Sequence, residues 1–90
     1  MENYELYSVS KLEEEYDRLE KSKNFYYNDI EASEKMIDEG NLHYNDKREY
    51  LNDIIEDKRQ LDEINKKMIL IKNELNKRNK VLTKHLNNNL

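Results

Sequence analysis

Two histidines, His43 and His85, stand far apart in a 90-residue chain that contains no cysteine. An imidazole metal site needs a second ligand nearby, most simply through a His-x-x-x-His spacing on one helix face, and the chain lacks that spacing. The densest carboxylate group is Glu13, Glu14, Glu15 and Asp17. Successive helical residues turn by about 100°, so these four acids spread around a helix instead of converging, and no Asp-x-Asp-x-Asp-Gly loop offers a calcium cage. A Gly-rich phosphate loop, a nucleophile elbow and a triad are also missing from the sequence. The residue types therefore predict a non-enzymatic protein with no cofactor, no metal and no small-molecule substrate.

Two other groups have more to offer. The chain holds seven tyrosines and one phenylalanine. Aromatic side chains bordered by charge are the usual anchors of protein contacts, which makes Tyr4, Tyr7, Phe25 and Tyr27 candidates for a partner patch. Tyr16 and Tyr26 fall instead on positions expected to face a helix partner. Residues 66 to 90 carry seven Lys or Arg and one acid, Glu74. Lys77, Arg78, Lys80 and Lys84 are candidate phosphate contacts, so nucleic-acid binding is an alternative reading. Against it stands an acidic whole, with net charge -4 and no known nucleic-acid-binding signature.

These residues need elements to hold them, and the apolar pattern supplies helices. Ile54, Leu61, Met68, Leu75 and Leu82 recur every seven residues, and Leu12, Leu19 and Tyr26 lie in the same register. A seven-residue apolar repeat keeps one stripe of a helix against a partner helix. Proline is absent and glycine occurs once, so tight-turned strands have little to build on. The expected fold is all-α, an antiparallel helical hairpin of coiled-coil type. Its parts are a flexible arm over residues 1–9, a helix over about 10–39 opened by Ser10 and Glu13 as a capping box, a turn over 40–45 at Gly40, and a helix over about 46–86.

One continuous coiled-coil helix is the alternative, because the repeat keeps register across Gly40; it would be a rod about 115 Å long. Charge favours the hairpin. Residues 1–45 hold 12 acidic and 5 basic side chains, and residues 46–90 hold 8 acidic and 11 basic. Folding back sets Glu13 to Glu20 near Lys66, Lys67, Lys72, Lys77 and Arg78.

A two-helix hairpin cannot bury all the apolar residues in this chain. Met68, Ile69, Leu70 and Ile71 point all around a helix, and Leu75, Leu82 and Leu86 are expected to overhang the shorter first helix. Ile69, Leu70, Leu75, Leu82 and Leu86, with the four aromatics, form the expected interface for a second copy, completing a helical bundle, and for another protein. The expected role is an assembly factor, adaptor or small regulator. A further alternative is a phage-type inhibitor that uses its acidic N-terminal half as a nucleic-acid mimic. Without cysteine, a signal sequence or a long apolar run, the expected location is the cytoplasm, with no membrane contact.

Overall fold

In a computed structural model that describes residues 3–40 and 42–78, the chain is a helical hairpin. A short 3-10 turn, Tyr4–Leu6, precedes α1, Val9–Glu39, and α2, Tyr44–Lys77. The longest extent, 53 Å, matches the roughly 51 Å of a 34-residue helix and excludes the rod. The radius of gyration is 17.3 Å, against about 12 Å for a compact chain of this length. No helix among the described residues is long and apolar enough to cross a membrane.

The seam follows the heptad. From α1 come Leu12, Tyr16, Leu19, Ile30 and Ser33; from α2 come Ile54, Asp57, Leu61, Ile64, Met68, Ile71 and Leu75. Leu12, Tyr16 and Leu19 pack with Ile64, Met68, Ile71 and Leu75, whereas Ile30 packs with Ile54 and Leu61, so the helices run antiparallel. Tyr26 touches both clusters. The 3-4 alternation in each helix keeps the two stripes facing each other along the hairpin.

The caps differ from the sequence expectation. Ser8, not Ser10, caps α1: its backbone is extended and its hydroxyl accepts from the Lys11 N–H at 3.1 Å. Helix starts at Val9 because that residue packs against the core, leaving Ser10 exposed on the first turn. In α2 the N-cap position falls on His43, and Asp46 sits in the first turn, where a carboxylate favours the positive helix end. The expected extension of this helix toward Leu86 falls on residues outside the described part.

Gly40 ends α1 with φ -96° and ψ 138°, an extended conformation open to any residue. Its reason for being glycine is space: a Cβ there would lie 2.6 Å from the Met36 carbonyl oxygen and 2.7 Å from Leu42 Cγ. The chain turns by bringing Leu42 back over the last helical turn.

Candidate interaction surface

Five of the expected interface and nucleic-acid residues, Tyr4, Tyr7, Leu75, Lys77 and Arg78, are engaged within the hairpin itself. Tyr4, expected in a flexible arm and on an outward patch, is 6% exposed and packs in the core with Leu12, Ile71 and Leu75. Its ring meets Tyr7 edge-on at 5.3 Å, and Lys11 Nζ lies 4.4 Å from the Tyr7 ring centre, leaving Tyr7 half-buried. Leu75, expected to overhang, is 1% exposed. The arm folds over the end of α2 and supplies the partner that α1 is too short to provide.

Arg78 holds the arm in place. Nη1 donates to the Tyr7 carbonyl at 2.7 Å, Nη2 donates to the carbonyls of Tyr4 at 3.2 Å and Glu5 at 3.0 Å, and Nε donates to Glu74 Oε1 at 2.7 Å. The Tyr4 carbonyl already accepts from the Tyr7 N–H at 3.1 Å, while a one-turn 3-10 helix leaves its later carbonyls without helical donors, and a planar guanidinium can bond several at once. Lys77 adds an ion pair to Glu5 at 3.4 Å. These two cations, expected as phosphate contacts, are therefore engaged with the N-terminal turn. Lys80, Lys84, Leu82 and Leu86 lie outside the described residues, as does His85.

Charge pairing is more local than the halves of the sequence suggest. Arg18 pairs with Glu15, Lys21 with Asp17, Arg59 with Glu56, and Lys66 with Asp62 and Glu63, all within a helix. The Glu15 carboxyl is held below the usual range first by the Arg18 hydrogen bond, with a contribution from Lys67 on the opposite helix. Arg59 and Gln60 donate to Glu56 and hold it down to about 2. A four-residue reach along one helix is shorter than the reach across the seam, so most long side chains settle on their own helix.

Outside the seam, apolar side chains remain uncovered. Phe25 and Tyr27 are exposed on α1, and Met36 joins them nearer the turn. Ile69 and Leu70 are exposed on α2. The sequence reading missed Tyr44, Leu51 and Ile55, exposed by 78%, 46% and 67%. With Ile69 they form a strip on α2 about 130° around the helix from the seam. Tyr44 and Leu51, with Lys47 and Arg48, line a shallow groove at its turn end. The spacing 44, 51, 55 was visible in the sequence, but following the leucine column alone hid it.

Asp57 was missed too. It shares its heptad column with Ile64 and Ile71, and it is 8% exposed. Its Oδ2 is buried without a hydrogen-bond partner. Burial, then the Asp29 carboxyl on α1, then Asp53 and Glu56 push it up to about 6. Among the described residues no group of His, Asp or Glu side chains has a geometry that could hold a metal ion.

Comparison with family profiles, with curated proteins and with solved structures finds no match to this chain.

Proposed function

We propose that the chain is a non-enzymatic interaction module in which two hairpins associate through their outward apolar faces, completing a helical bundle that acts by protein contact. The observation that carries this reading is the strip Tyr44, Leu51, Ile55 and Ile69 on the side of α2 turned away from α1. The accessible surface points the same way. It is 6991 Å², whereas a compact monomer of 11.0 kDa exposes about 5,600 Å². Tyr44, Leu51 and Ile55 lie within about three helical turns of one another on this side, and a cluster of exposed apolar side chains on a charged protein marks a contact face. Phe25 and Met36 give α1 a face of its own for the same bundle or for a further protein.

Nucleic-acid binding loses two of its four candidate cations to the arm contacts. Light scattering across the micromolar range tests the proposal. The wild-type chain should pass from monomer to dimer, and a Leu51→Glu, Ile55→Glu double variant should stay monomeric with unchanged helix content, since neither side chain belongs to the seam. A wild-type chain that remains monomeric throughout, or a double variant that dimerises equally well, overturns it.

A further inference from the structure

Most ion pairs of the hairpin form one turn along a helix, and Lys72 stands where that cannot happen. The residues one turn before and after it are Met68, Ile69, Leu75 and Asn76, none of them an acid. Lys23 occupies the same heptad column as Tyr16 and Ile30 and is half-buried. Its ammonium lies 5.9 Å from the Tyr27 ring centre and not on a carboxylate. Among the described residues neither lysine makes an ion pair.

Antiparallel packing brings both lysines to one groove between the helices. Tyr16 and Lys23 line it from α1, and Asn65, Met68, Ile69 and Lys72 line it from α2, around a volume of ≈ 180 Å³. Tyr16 and Met68 are buried and give it an apolar inner wall, while Ile69 and Lys72 are exposed at its edge. Pockets for cofactors and other small molecules begin at roughly 300 Å³, whereas a cavity of roughly 150 Å³ holds a benzene ring. The groove therefore matches one aromatic side chain.

We propose that this groove seats an aromatic side chain of an acidic protein segment, whose flanking carboxylates meet Lys23 and Lys72. A ring against the Met68 thioether supplies the anchor, and the two unpaired ammonium groups select an acidic chain around it. Asn65 offers a donor and an acceptor to the backbone of that segment. The proposal names the partner chemistry of a protein-contact module and rests on that reading, but not on self-association, since Lys23 and Lys72 lie apart from Leu51 and Ile55. Because both helices line the groove, its occupant binds only the closed hairpin and stabilises it.

The probe is an acetylated, amidated Glu-Glu-Phe-Glu-Glu peptide, titrated into the full chain and followed by NMR. The Met68 methyl, the Asn65 side-chain amide and the Lys23 and Lys72 side chains should shift together and saturate at millimolar peptide, and the thermal midpoint should rise. A Lys23→Gln, Lys72→Gln variant should bind about tenfold more weakly, and Lys23→Arg, Lys72→Arg should keep most of the affinity. Serine in place of the peptide's phenylalanine should weaken binding at least about tenfold. The proposal is overturned by an absence of saturable shifts, by equal binding of a peptide without its ring or its acids, or by unchanged affinity in the glutamine variant. Inorganic phosphate that moves the same signals with equal affinity overturns it too. The Leu51→Glu, Ile55→Glu variant should bind the peptide as the wild type does, whether or not the wild type dimerises; loss of binding there would make the outward strip the docking site instead.

Discussion

The two ends of the hairpin are held by different means. At the arm end, Leu12, Ile71 and Leu75 are fully buried, Tyr4 closes the seam from outside, and Arg78 ties down three carbonyls of the N-terminal turn. At the turn end the seam is narrower: Ile30, Ile54 and Leu61 pack beside Ser33 and Asp57, while Tyr44, Leu51, Ile55 and Met36 face solvent. The same heptad spacing runs through both. The difference shows that spacing chooses which residues meet, and that residue type decides how tightly they hold.

Truncations in the two clusters should give the largest effects and the sharpest contrast. Leu75→Ala, at a dry and fully enclosed site, should lower stability by about 3 kcal/mol, and Ile54→Ala by about 2 kcal/mol, because a site beside Asp57 can admit water in place of a void. Urea unfolding followed by circular dichroism measures both. A greater loss at Ile54 would break the comparison.

Arg78→Ala should cost about 2 kcal/mol by leaving the Tyr4, Glu5 and Tyr7 carbonyls without their charged donor. The amides of Leu6 and Tyr7, which donate to Asn3 and Tyr4, should lose protection first. If they keep it, the arm is held by Tyr4 packing alone.

Gly40→Ala ranks next. The added methyl must displace the Met36 carbonyl or Leu42, at about 1 to 2 kcal/mol, and the effect should stay within the last turn of α1. The smallest effect belongs to Glu56. Its depressed carboxyl contributes above its ordinary 4.5 and loses that contribution as pH falls through about 2, the reverse of Asp57. Being fully exposed, Glu56→Gln should leave the neutral-pH unfolding midpoint where it is.

Much of this architecture was legible in the residues. The register of Leu12, Leu19, Ile54, Leu61, Met68 and Leu75 named the seam, and Gly40 marked the turn. The arm was not legible, because residues 4 to 7 have no periodicity and their anchor, Arg78, is over 70 positions away in sequence. Its basic surroundings suggested phosphate, whereas three backbone carbonyls take its guanidinium. Leu75 was expected to look outward for the same reason: without Tyr4 in place, α1 offers it too little cover. Asp57 was visible as an acid in an apolar column, but its burial in the seam depends on the face that the antiparallel pairing covers. The outward strip rests on single apolar residues spaced among charges, a weaker signal than a repeated column.

Residue-resolved amide exchange at pH 7 compares the two ends most directly. Corrected for intrinsic rates, the amides of Leu12, Leu19, Ile71 and Leu75 should exchange only through global unfolding, whereas those of Ile30, Ile54 and Asp57 should exchange at least ten times more often through local opening. Equal protection along both helices, or better protection beside the turn, would contradict the account.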